Sequence, residues 1–142
     1  MKAATIYERS GKVFIHSSSK TSAGVRVLGT PVLSAEKDNP KDIGQAVREC
    51  LGSSHVGVPH PKSFANLFEP VLKLAGVKSF NTFMKSAKSV GVEMEDGVVT
   101  LIPTRNAGPK DGFFPLPNRS QLVLGSDDEL GLAAVAALSV AT

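Results

Sequence analysis

The sequence predicts an α+β domain in which an antiparallel sheet carries helices packed mainly on one face. Three observations carry that prediction. Short alternating or apolar runs bracket glycine-containing turns near both ends of the chain, three helical stretches with caps or breakers follow one another in the middle, and the order of strands, helices, strands and a last helix lacks the regular alternation that builds a parallel sheet. A length of 142 residues is one ordinary domain's worth. No repeat or linker divides it, so residues 1–142 are read as a single domain.

Thr5-Ile6-Tyr7 and Lys12-Val13-Phe14-Ile15-His16 flank Arg9-Ser10-Gly11, the pattern of a tight hairpin. After the polar run Ser17–Ser22, Val25–Leu28 and Pro31–Leu33 are two more extended segments around Gly29, with Pro31 suited to an edge strand or a strand start. Asn39 is placed to cap a helix, Pro40 suits its first position and Asp42 complements its dipole. Ile43, Ala46, Val47, Cys50 and Leu51 then share one face until Gly52. Residues 53–61 read as a loop. Helical spacing resumes with Phe64, Leu67, Phe68, Val71, Leu72 and Leu74, where Pro70 can split the segment and Gly76 closes it. Ser79 caps a third helix with Phe80, Phe83, Met84 and Ala87 inward and Lys85 and Lys88 toward water. Val90, Val92 and Met94, the turn Asp96-Gly97 and the run Val98–Ile102 make the strongest hairpin, stopped by Pro103. Residues 105–119 form a long loop, 121–124 a short strand, and Ser126 with Glu129 a capping box opening a helix of Leu130, Ala133, Ala134, Ala137 and Leu138.

Composition excludes several classes. With 42% hydrophobic and 20% charged residues the chain has the makings of a core and is neither disordered nor membrane-spanning. Its longest apolar stretch, Leu130–Val140, is about half the roughly 20 residues a bilayer helix needs. The N-terminus alternates and meets charge by Glu8, unlike a signal peptide, and one cysteine permits no internal disulfide, so the expected location is cytoplasmic. The net charge of +3 divides unevenly, +6 over residues 1–110 and −3 over residues 111–142.

Few residues carry chemistry. Cys50-x4-His55-x4-His60 lacks the paired short spacings of a structural zinc site and offers three ligands where four are wanted, so no metal or other cofactor is expected. Cys50 lies on the apolar face of its helix, which argues for an inert thiol, and His60 between Pro59 and Pro61 suits a ring held in a rigid turn by bonds to backbone. Glu93, Glu95 and Asp96 surround a hairpin turn, where they are solvated and form either a solubilising tip or a contact surface. Asp127, Asp128 and Glu129 complement a helix dipole. The stretch 62–88 carries a net +4 with four interleaved phenylalanines, which raises an RNA-binding module as the rival reading. Those phenylalanines fall at helical spacing and are expected in the core. No phosphate-binding loop, dinucleotide fingerprint or nucleophile elbow is present, and no catalytic residue is assigned.

A set of short segments in fixed order remains. These are Val58-Pro59-His60-Pro61, Ala75-Gly76-Val77-Lys78-Ser79, Arg105-Asn106 with Gly108, Gly112-Phe113-Phe114-Pro115-Leu116 and Glu129-Leu130-Gly131. Together, over about residues 56–132, they resemble the CdiI-type immunity proteins of bacterial contact-dependent growth inhibition systems. The resemblance implies a cytosolic antidote, not an enzyme, that binds the C-terminal toxin domain of a cognate CdiA protein, often a nuclease acting on tRNA, and blocks it stoichiometrically. It implies a protein partner, with no direct contact to nucleic acid or membrane. An inhibitor that plugs a basic cleft is ordinarily acidic while this chain is +3, so Glu93, Glu95, Asp96 and Asp111 are the candidate partner-binding residues if the acidic patch is local. The motif residues themselves are expected to serve the fold.

Overall fold

A computed structural model describes all 142 residues. The chain opens with β1 (Lys2–Arg9), β2 (Lys12–Thr21) and β3 (Arg26–Glu36), continues through α1 (Pro40–Gly52), β4 (Val56–Val58), α2 (Glu69–Ala75) and α3 (Phe80–Met84), and returns to strands with β5 (Lys88–Glu95), β6 (Val98–Asn106), β7 (Phe113–Pro115) and β8 (Ser120–Val123) before α4 (Asp127–Val140). One eight-stranded sheet runs β3-β2-β1-β5-β6-β7, with β8 also on β6 and β4 on β2. Every pairing is antiparallel except β2 with β4. The predicted α+β class holds.

Period-two alternation sorts the strand side chains onto two faces. Ala4, Ile6, Val13, Ile15, Val90, Val92, Val99 and Leu101 point to the first, where they form the larger core with Ile43, Val47, Cys50 and Leu51 of α1 and Leu130, Ala134 and Leu138 of α4. The two long helices thus share one face, as the sequence predicts. Their crossing is unusually close: a methyl group on Gly131 would overlap the Pro40 carbonyl and lie 2.9 Å from Pro40 Cα, and one on Gly44 would overlap the Asp127 carbonyl. Arg48 fastens the same crossing, its Nε 2.8 Å from Asp127 Oδ1 and its Nη2 donating to the Gly125 carbonyl.

The second face takes the short helices. Phe14, Val71, Leu72, Phe83 and Ala87 form a smaller cluster there, joined by Tyr7, Phe68 and Phe113. This cluster roofs the half of the face bearing Tyr7, Phe14 and Ser89, neighbours across β2, β1 and β5. Along the strands from it come the row of His16, Thr5 and Gly91 and then Ser18, Ala3, Glu93, Thr100 and Gln121, one row from β2 to β8.

Several boundaries depart from the sequence reading, each for a physical reason. The polar run after His16 continues β2 to Thr21 and, Lys20 apart, is buried, because small hydroxyl side chains fit where the 53–56 segment closes on the sheet. Ser54 Oγ donates to the Ser18 carbonyl at 2.5 Å and Ser19 Oγ accepts from the His55 amide at 3.1 Å. Part of the expected 53–61 loop is β4, drawn into the sheet by the same contacts. The two segments around Gly29 are one edge strand, with Pro31 where the register shifts opposite His16 and Ser17. The helix expected from Phe64 begins only at Glu69, since Asn66 takes a left-handed conformation (φ 64°) and Pro70 belongs in a first turn. The third helix ends at Met84, and Lys88 opens β5 instead of facing water from a helix. Pro103 does not stop β6. It stands where the strand changes partner, from β8 (paired up to Leu101) to β7 (paired from Thr104), so its missing N–H costs no ladder bond there. Only half of the capping box forms as a bond: Ser126 accepts from the Glu129 amide at 3.2 Å.

Candidate functional site

Cys50 is fully buried on the inner face of α1, with its sulfur near the carbonyls of Ile15 (3.8 Å) and Pro31 (3.7 Å). Burial, and secondarily Glu49 beside it, pushes the thiol up to about 12, far from the range of a reactive thiolate. The native protein should therefore resist thiol reagents at pH 8 and react fully in denaturant. Stoichiometric labelling of the folded chain within minutes would contradict the burial.

His55 and His60 are both exposed, and the structure does not gather them with Cys50. His60 is fixed by a side chain, not by backbone as expected. Its Nδ1 lies 3.0 Å from Thr21 Oγ1 and its ring meets Phe64 edge-on at 5.4 Å.

The acidic candidates separate into two places. Glu93, Glu95 and Asp96 come together at the β5–β6 hairpin and line a concavity of about 300 Å³ with Met1, Val98, Thr100 and Gln121. Register explains the grouping: Glu93 stands opposite Thr100, Glu95 opposite Val98, and these face Gln121 and Val123 on β8. None of the three carboxylates forms an ion pair, since the ion pairs of the chain are Lys37–Glu8 and Arg48–Asp127. Val123 beside them is 74% exposed, an apolar spot with an acidic rim. Asp111 lies in the turn between β6 and β7, past the far end of β6, roughly 25 Å along the strand from the hairpin tip.

Of the interleaved phenylalanines in the basic stretch, Phe83 is fully buried and Phe68 packs in the second cluster, as expected. Phe64 is instead 52% exposed, because the truncated α2 leaves the preceding turn outside the core, and Phe80, at the first position of α3, is 37% exposed with its ring edge-on to Phe68. The ordered motifs hold joints of the fold. Gly76 ends α2 in a left-handed conformation (φ 72°), Ser79 caps α3, and Asn106 Nδ2 donates to the Met84 and Ala87 carbonyls at 2.7 and 2.8 Å. Arg105 lies over the Phe114 ring at 5.3 Å and Phe113 packs near Tyr7 at 5.7 Å.

One feature escaped the sequence reading altogether. A second groove of about 350 Å³ opens on the same face as the acidic hairpin, with Tyr7 and His16 in its floor, Phe64 and Leu67 in its wall and Arg26 at its rim. His16 is only 5% exposed; its Nδ1 donates to the Ser17 carbonyl at 2.8 Å, which leaves the Nε2 lone pair without a partner in the chain. Burial lowers the imidazole below its ordinary 6.5, the Ser17 bond opposing in part, and burial also raises the Tyr7 phenol. The only signal was that both lie on strands with their side chains toward one face, which periodicity shows but cannot distinguish from core packing.

Because folded His16 holds its proton less tightly than an unfolded histidine, the unfolded chain is protonated first as pH falls through 6.5. Stability is then lost with falling pH, with a slope of up to about 1.4 kcal/mol per unit, until the folded imidazole itself titrates. Urea unfolding between pH 7.5 and 5 should show this loss and His16→Gln should flatten it. Equal slopes for the two proteins would place the titration elsewhere.

A sheet with one closed face and one half-open face, bearing charged concavities on the open part, is the build of a small protein that meets another macromolecule through its surface. The chain belongs to the CdiI family of CDI immunity proteins, whose profile matches residues 2–141. That match takes in the first 55 residues, which carry none of the motifs noted above. Comparison with curated protein sequences gives no match. Among solved structures, the chain is similar to a protein of unknown function from Neisseria meningitidis, with a TM-score of 0.82 at 19% identity, covering 99% of this chain and 95% of that one. It is similar also to a chain of a CdiA-CT/CdiI toxin and immunity complex from Yersinia pseudotuberculosis, with a TM-score of 0.80 at 16% identity, covering 99% and 97%. At those identities the likeness shows the fold.

Proposed function

We propose that this protein is the cytoplasmic antidote of a toxin and immunity pair, which binds the C-terminal toxin domain of its cognate CdiA protein and holds it inactive one to one, without chemistry of its own. Membership of the immunity family carries the reading. The buried, unreactive state of Cys50 and its separation from His55 and His60 support an inhibitor that works by shape. A stable contact of this kind buries on the order of 1,600 Å² in total and draws its affinity from a few anchors. The unpaired Glu93, Glu95 and Asp96 around exposed Val123 are the contact proposed here, with Asp111 a separate acidic position. The resemblance to CdiI-type proteins, whose toxins are often nucleases acting on tRNA, gives the toxin's activity in this reading, and an acidic tip suits a basic, nucleic-acid-cleaving cleft.

The test is a titration of the purified chain against its cognate toxin domain, with tRNA integrity followed in the same tubes. Nanomolar binding, and tRNA that is cut by toxin alone but spared at one equivalent of this chain, is the expected result. Absence of binding at micromolar concentration defeats the immunity reading. Intact tRNA in the presence of a toxin that still kills cells removes the tRNA nuclease and leaves the immunity reading standing.

A further inference from the structure

The half-open face is electrically lopsided. Lys20 and Arg26 stand directly opposite each other on β2 and β3, both exposed, an arrangement that costs stability when no anion sits between. Neither forms an ion pair. Two to three strand spacings away on the same face, about 10–15 Å, lie Glu93 and Glu95, also unpaired. Beside the basic end opens the groove floored by Tyr7 and His16, and Ser18 of the groove continues through Ala3 to Glu93 in one cross-strand row. The imidazole in that floor is nine-tenths hidden, yet its Nε2 acceptor has no partner within the chain. That nitrogen opens into the groove, so it offers an acceptor to a donor from outside.

We infer that the toxin-docking surface extends beyond the acidic hairpin along this whole open face, and that the groove receives an anchor side chain of the toxin. The inference rests on the immunity reading. The occupant is set by the lining: a tyrosine or tryptophan whose ring lies against Phe64 and Leu67 and whose O–H or N–H donates to His16 Nε2. A neighbouring carboxylate of the toxin sits between Lys20 and Arg26, while its basic residues meet Glu93, Glu95 and Asp96. Opposite charges at the two ends fix the direction in which the partner lies, which a single acidic tip does not.

The test measures affinity of the intact chain for its cognate toxin domain, with folding checked by thermal unfolding. Lys20→Glu/Arg26→Glu reverses the basic end, and Phe64→Ser removes the exposed wall of the groove. Lys41→Glu/Lys110→Glu makes the same charge change elsewhere. The first two proteins should each weaken binding at least tenfold and the third less than threefold. Wild-type affinity in both groove variants, or an equal loss in the third protein, overturns the inference while leaving the immunity reading intact. Failure of the unaltered chain to bind removes that reading and this inference with it. If the unaltered chain sediments as a dimer that Lys20→Glu/Arg26→Glu dissociates, the strip is occupied by a second copy of the chain and the inference is wrong.

Discussion

Gly131→Ala is expected to destabilise the protein by at least about 3 kcal/mol, a large share of the roughly 5–15 kcal/mol that holds a domain folded. The added methyl has nowhere to go. It would overlap the Pro40 carbonyl, which is backbone in the first turn of α1 and cannot rotate aside as a long side chain would. The two helices must separate, and separation opens the larger core along Ile43, Val47, Leu130 and Ala134. Gly44→Ala carries the same expectation through the Asp127 carbonyl. For a chain of this length the loss corresponds to a fall in melting temperature of about 10 °C or more. Gly52→Ala is the control, because nothing lies within 4 Å of that position, so alanine there should be neutral or slightly stabilising. Thermal and urea unfolding of the three variants decide the matter. A Gly131→Ala protein within 0.5 kcal/mol of the unaltered chain, on the order of an ordinary surface change, would show that the helices do not cross this tightly.

Reversal of the hairpin charges, Glu93→Lys/Glu95→Lys/Asp96→Lys, is expected to reduce affinity for the cognate toxin by about a hundredfold or more while leaving the fold intact. Carboxylates without ion partners, Glu95 and Asp96 exposed and Glu93 half-buried, contribute little to stability, so their loss should pass almost unnoticed in unfolding. Their effect on association is different in kind: the field of three clustered charges steers a basic partner, so most of the loss should appear in the association rate and shrink as salt is raised. Asp111→Lys, on a distant turn, should change the rate by less than threefold. Stopped-flow mixing at two ionic strengths distinguishes these outcomes. A triple variant that associates at the normal rate would remove the hairpin from the contact.

Elements with a strong local signal were legible in the sequence. The hairpin at Asp96-Gly97 is marked by alternation on both arms and a turn dipeptide at its tip, and α1 by Asn39, Pro40 and a regular apolar stripe. The candidate carboxylates Glu93, Glu95 and Asp96 could be grouped because turn and alternation fix their positions, whereas Asp111 had only its charge to recommend it. What failed was legibility of features that depend on distant parts of the chain. Ser18 and Ser19 look like a loop until Ser54 and the His55 amide supply their partners. Pro103 looks like a stop until two short strands are seen to divide the edge beside it. The groove combines β1, β2, β3 and a turn some fifty residues later, and no local period announces such a meeting.

On the docking proposed above, the ordered motifs and the open face divide the molecule's labour in a way that bears on how such a protein changes over generations. Asn106, Gly76 and Ser79 work inside joints, where a substitution breaks bonds that nothing else replaces. Lys20, Arg26, Glu95 and Asp96 stand in solvent, where most substitutions shift stability by half a kcal/mol or less. A lineage can therefore rewrite its allegiance with a handful of outward-facing replacements and never pass through an unfolded ancestor.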